Sequence, residues 1–170
     1  MSPQGKLLFG TGPDSDLEPP VRAFRILLLL AQRLRYLMDD RLRPDGMTTQ
    51  QAALLTVVTA LGRPSLTEAA AALGSTHQNA AQLVTALERK KLLATGPDPA
   101  DRRRRLLWVT GASGEYWRQR GDGDQAAVAG WFAALSASEI ELLCSLAGRL
   151  LDQLEPSGPE PVQVPGEEGN

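Results

Sequence analysis

Cysteine, histidine and aromatic side chains are all scarce: the 170 residues contain one Cys, one His and 5% aromatics. A lone thiol excludes an intrachain disulfide framework and any Cys-rich zinc site. A lone imidazole excludes a multi-His metal site, and a Ser-His-Asp triad would have to use His77. No phosphate-binding loop and no metal-ligand spacing is present, so the sequence reads as a non-enzyme without a cofactor. Long apolar runs are missing too. The longest, Ile26 to Ala31, falls far short of the roughly 20 residues that cross a bilayer. Nothing from Met1 to Asp16 has the basic start and apolar stretch of a secretory signal. These absences point to a cytoplasmic protein with no membrane partner.

What is present is ordinary in amount and uneven in placement. A hydrophobic content of 42% and a charged content of 22% suit one compact domain. The net charge of −2 conceals an asymmetry: Arg63 to Arg120 holds ten basic residues against five acidic, and the rest holds eight against fifteen. A basic middle between acidic ends suggests a surface that faces a polyanion. Eight of the twelve prolines lie in the first 20 and last 15 residues. Residues 1–20 therefore read as a disordered arm and 156–170 as a disordered acidic tail, with a single folded domain over 21–155.

Within that domain the spacing predicts mainly helix. Phe24, Leu27, Leu28, Ala31, Leu34, Met38 and Leu42 recur at helical intervals. The run Ile26–Leu30 is apolar almost all round, which suits a helix covered on two sides, the second by another chain. Thr48/Gln51, Ser65/Glu68 and Ser136/Glu139 each have the spacing of a capping box, in which hydroxyl and carboxylate or amide satisfy each other's backbone donors. They open expected helices at about Thr49–Leu61, Leu66–Leu73 and Ala137–Leu154, with Gly62 and Gly74 stopping the first two. Thr76 is the expected cap of a helix running to about Lys91, with the apolar stripe Ala80, Leu83, Val84, Leu87 and an opposite face of Gln78, Gln82, Thr85 and Arg89. Leu92–Thr95 and Leu106–Thr110 read as two short strands around a basic loop. Another helix should start near Ser113, with a kink or break at Gly121–Asp124 because each glycine costs about 1 kcal/mol in a helix interior.

Helix, short helix, turn, polar-faced helix and basic hairpin form the α+β order of a winged helix-turn-helix. Three segments resemble the MarR family of bacterial transcriptional regulators. One is the wing, Asp98-Pro-Ala-Asp101-Arg102-Arg103 followed by Leu107-Trp-Val109-Thr110. The others are Leu83-Val-Thr-Ala-Leu87-Glu-Arg-Lys-Lys-Leu92, similar to the recognition helix and its exit, and Leu135-Ser-Ala-Ser-Glu139-Ile, similar to the start of the last dimerisation helix. The resemblance covers about Val21 to Leu154. It implies dimerisation helices at about 21–43 and 113–154 around a DNA-binding part at about 48–110. It also implies a homodimer on a palindromic double-stranded operator, and a pocket for a small effector whose binding relieves repression. Tyr36, Tyr116 and Trp117 are candidates to line a pocket for an aromatic effector. The start Ser75-Thr-His77-Gln78-Asn79-Ala-Ala-Gln82 departs from the pattern of many relatives, which leaves the operator sequence open.

Chemistry assigns roles beside the resemblance. Gln and Asn offer one donor and one acceptor to adenine, so Gln78, Asn79 and Gln82 are candidate base readers. Arg102, Arg103, Arg104 and Arg105 are permanent cations able to meet phosphates or a narrow minor groove. The resemblance makes Arg103 the inserting residue and Asp101 the brace of the wing. Arg89, with Lys90 and Lys91, suits phosphates, as do the hydroxyls of Ser65 and Thr76; His77 suits a surface or phosphate-contacting position. Plainer readings stand beside these: a solvated arginine-rich loop, amides that merely start a helix, and a buried inert thiol at Cys144. The competing function is a winged-helix module that binds proteins and not DNA.

Overall fold

Three helices begin on the capping boxes read from the sequence. The computed structural model describes residues 16–101 and 104–154. Its elements are α1 (Pro19–Leu42), a 3-10 turn (Arg43–Asp45), α2 (Thr49–Leu61), α3 (Leu66–Ala72), α4 (His77–Arg89), β1 (Leu93–Pro97), β2 (Arg105–Val109), α5 (Gly111–Trp131) and α6 (Ala137–Leu154). Thr48 and Ser65 accept from the amides of Gln51 and Glu68, whose side chains reach back. Ser136 and Glu139 do the same before α6, at 2.7 Å and 3.4 Å. Gly62 and Gly74 follow α2 and α3 with φ of 80° and 58°, the left-handed region where a side chain would be strained. The fold is mainly helical, with β1 and β2 paired antiparallel from Leu93↔Val109 to Pro97↔Arg105.

The chain divides into two compact units between Arg118 and Gln119. In the first, Leu42, Leu54, Leu55, Val58, Leu87 and Leu93 are completely buried and join Met47, Leu83, Val84 and Leu107 in one core. That core is closed by α2, α3, α4 and the hairpin. The α1 helix contributes Leu42 and, partly, Met38, and Asp39 Oδ1 accepts from the Thr49 amide at 2.6 Å to fix the start of α2. Most of the rest of α1 stays uncovered: Phe24 is 65% exposed and Leu28 53%.

The second unit holds the end of α5 and all of α6. No residue of α6 is buried, and Leu142, Leu146, Leu150 and Leu154 form an exposed apolar row.

Three expectations need correction. The helix over Gly121–Asp124 does not break: α5 runs through both glycines. Arg120 Nε and Asp124 Oδ2, 3.0 Å apart and largely covered, clamp that turn from either side, which offsets the glycine penalty. The first helix starts two residues before the expected position, because Pro19 and Pro20 occupy its first turn, where a missing N–H is harmless. Cys144 is exposed rather than buried, since the face of α6 that carries it has no cover within the chain. Residues 1–15 and 155–170, where the arm and the acidic tail were expected, lie outside the described residues.

Candidate nucleic-acid interface

The two faces of α4 differ because apolar and polar residues alternate at helical spacing. Ala80, Leu83, Val84 and Leu87 are buried against the core, and Gln78, Gln82, Thr85 and Arg89 are all exposed on the other side. Both ends of the helix are pinned. Thr76 Oγ1 accepts from the Asn79 amide at 3.2 Å. At the other end the amides of Leu92 and Lys91 donate to the carbonyls of Leu87 and Glu88, closing a left-handed C-cap on Lys91 at φ 59°. Thr110 Oγ1 donates to the Lys91 carbonyl at 2.6 Å and ties that cap to the end of β2.

The three candidate amides are not equivalent. Gln78 and Gln82 are exposed and one helical turn apart on the polar face. Asn79 is half-buried and its Nδ2 donates to Ser75 Oγ at 2.8 Å, so it stiffens the turn between α3 and α4. His77 and Arg89 are exposed at the two ends of α4.

The hairpin leans on the turn between α2 and α3. Leu107 donates its amide to the Pro64 carbonyl at 2.8 Å, and Ser65 forms an isolated bridge with Leu106. The Arg63 guanidinium lies 5.1 Å above the Trp108 ring, a cation–π contact. Gly96 faces the same ring: a Cβ there would come within 2.8 Å of Trp108 Cη2.

The two described arginines of the wing have different partners. Arg104 Nη2 donates to Glu68 Oε1 at 2.6 Å. The other oxygen of Glu68 accepts from the Ser65 amide at 2.7 Å and hydroxyl at 2.8 Å. The Ser65 backbone bond first, then the Arg104 bond and the Ser65 hydroxyl, pull the Glu68 carboxyl down to about 2. Arg105 Nη2 donates to Thr95 Oγ1 at 2.7 Å, and that hydroxyl donates in turn to Glu88 Oε1 at 2.8 Å. Asp101 is exposed, and its carbonyl accepts from the Arg104 amide at 2.9 Å. Arg102 and Arg103, expected at the tip, lie outside the described residues. Sequence reasoning missed the Glu68–Arg104 pair. The capping box located Glu68, but nothing local signals an arginine 36 positions away as its second partner.

The candidate effector residues do not converge on a described groove. Tyr36 is exposed beneath Arg33, whereas the Tyr116 hydroxyl donates to Asp45 Oδ2 at 3.3 Å and its ring meets Trp117 edge-on at 5.0 Å. A groove of about 360 Å³ between the α2–α3 turn and the wing is lined by Arg63, Glu68, Asp98 and Arg104 among others, none of them aromatic. Among the described residues no group of three or more His, Cys, Asp or Glu side chains could hold a metal, and no helix is long and apolar enough to cross a membrane.

A buried-face helix following a short helix and turn, flanked by an antiparallel hairpin, defines a winged helix-turn-helix. Known structures share this fold. A MarR-family transcriptional regulator from Streptomyces coelicolor, solved in complex with DNA, is 23% identical with a TM-score of 0.73 over 85% of this chain and 97% of its own. BpsR of Bordetella bronchiseptica, whose DNA binding is regulated by 6-hydroxynicotinic acid, is 21% identical with a TM-score of 0.69 over 77% of this chain and 99% of its own. PcaV of Streptomyces coelicolor, a transcriptional regulator solved with its natural ligand, is 26% identical with a TM-score of 0.65 over 83% of this chain and 96% of its own. No curated protein matches the sequence. The family model described as the MarR family matches residues 45–104, from the 3-10 turn into the wing. The helix-turn-helix and wing of this chain, over residues 45–104, are similar to those of the MarR family, and its fold is that of a winged helix-turn-helix.

Proposed function

We propose that this protein is a homodimeric, sequence-specific DNA-binding regulator, acting as a repressor in the cytoplasm, that reads a palindromic operator with α4 in the major groove and the wing beside it. The observation that carries this is the exposed, uncharged start of the polar stripe on α4, Gln78 and Gln82, on a helix whose other face is locked into the core. A merely solvated helix gains most from charge, whereas exposed amides suit adenine edges. Arg89, Lys90 and Lys91 supply phosphate contacts at the helix exit, and Ser65, Thr76 and His77 flank the backbone. Arg102 and Arg103 serve the wing tip, with Asp101 bracing the turn that carries them. Asn79 acts mainly by holding the turn.

The exposed leucine rows of α1 and α6 support dimerisation, because an uncovered apolar row of this length seeks a partner. The ligand-bound PcaV structure and the regulation of BpsR support relief by a small effector. Selection of bound fragments from randomised duplexes tests the whole reading: an inverted repeat with half-sites one helical turn apart is the expected product. Gln82→Ala should relax preference at one position per half-site, losing about 1–3 kcal/mol of discrimination there. Retention of every base preference would remove that amide from the readout. Binding to no duplex at low salt would leave the protein-binding module as the better description.

A further inference from the structure

We propose that Glu68 and Arg104 form a latch that holds the wing against the helix-turn-helix, which makes Arg104 a positioning residue and not a contact to nucleic acid. This deepens the DNA-binding reading and rests on it. Glu68 belongs to α3, and Arg104 immediately precedes β2, so the 2.6 Å ion pair joins two elements far apart in sequence. Exposed ion pairs are usually weak because both side chains must be immobilised. Here one partner is already fixed, since the Ser65 amide and hydroxyl hold the second oxygen of Glu68 whether or not Arg104 is present. The backbone of Arg104 is fixed as well: its carbonyl accepts from the Asp98 amide and its own amide donates to the Asp101 carbonyl, both at 2.9 Å. Ser65 also bridges Leu106, two residues beyond Arg104, and Pro64 takes the Leu107 amide. The capping box that starts α3 is therefore also the seat on which the wing rests.

Two substitutions in the full chain separate this from the alternative in which Arg104 meets a phosphate. Arg104→Ala leaves the capping box whole, and Glu68→Gln keeps a side chain able to cap while removing the charge. Each should weaken operator binding on the order of two- to fivefold, with the slope of log affinity against log salt unchanged and the double variant no worse than either single one. A slope reduced by about 0.9 in Arg104→Ala would mean a lost phosphate contact and would overturn the latch. So would tighter, more salt-dependent binding by Glu68→Gln, which would mean that Glu68 withholds Arg104 from DNA. Hydrogen exchange in the DNA-free protein gives an independent answer. The Asp98 and Leu107 amides should exchange faster in both variants while the amides of α4 keep their rates, and unchanged exchange at Asp98 and Leu107 also overturns the latch. Failure of the unsubstituted protein to bind any duplex would defeat the DNA-binding reading, yet the exchange rates would still decide whether the latch exists.

Discussion

The helices α4 and α6 carry similar apolar stripes and have opposite fates. In α4 the four stripe residues are buried by α2, α3 and β1. In α6 the row Leu142, Leu146, Leu150 is roughly half exposed along 18 residues with none buried. Amphipathic pattern alone thus does not say whether a face is satisfied within its own chain. Within the first unit, the part made of α2, α3, α4 and the hairpin is a finished core, although α1 is not. The second has an apolar row that no described residue covers, and covering each such half-exposed leucine is worth on the order of 1 kcal/mol.

The sharpest way to break this comparison is to make one substitution in both places. Leu87→Ala, at a site of 0% exposure, should cost about 2–5 kcal/mol of unfolding free energy at every protein concentration. Leu146→Ala should act through assembly. Its thermal midpoint should fall most at low concentration, and sedimentation should show a weakened dimer. If Leu146→Ala changes neither midpoint nor mass, α6 has no partner and the proposed dimer fails.

A smaller effect probes the finished unit against itself. The C-caps of α3 and α4 use the same paired backbone bonds, but Gly74 fills the left-handed position in one and Lys91 in the other. Lys91→Gly should stabilise the fold by up to about 1 kcal/mol in urea unfolding, and slightly weaken DNA binding if the lysine meets a phosphate.

The smallest expected effect compares one capping box in both units. Glu68 is held near a pKa of 2 by Ser65 and Arg104, and Glu139 is lowered by the Ser136 amide and hydroxyl alone. A carboxyl depressed on folding adds stability above its unfolded pKa of about 4.3, and that stability fades as pH falls through the folded value. Glu68→Gln should therefore flatten the loss of stability between about pH 4.3 and 2, by less than about 1 kcal/mol for so exposed a group. Glu139→Gln should flatten it less. Equal effects would mean that Arg104 contributes nothing to holding Glu68.

Much of this architecture was legible because it is written in short-range chemistry. The expected starts at Thr49 and Ala137, and the stop at Leu61, hold because the hydroxyl–carboxylate or –amide pairs and Gly62 act within three or four residues. The stripe of α4 was readable for the same reason. The misjudged glycines of α5 show the limit: a penalty per glycine was visible, but the compensating Arg120–Asp124 clamp depends on how well two side chains are covered. The candidate interface was legible in residue type and only partly in role. Asn79 looks like Gln78 and Gln82 in a string of letters, and only the packed turn reveals that Ser75 has claimed its amide. Arg104 looks like its neighbours until α3 brings Glu68 to meet it.

The contact between Gly96 and Trp108 has a consequence for how such a protein can change over generations. No larger residue fits at Gly96 without displacing the indole, and with it the Arg63 guanidinium stacked on the ring. A substitution at Gly96 therefore strikes two contacts at once, and a single methyl group there disturbs the mounting of the whole hairpin.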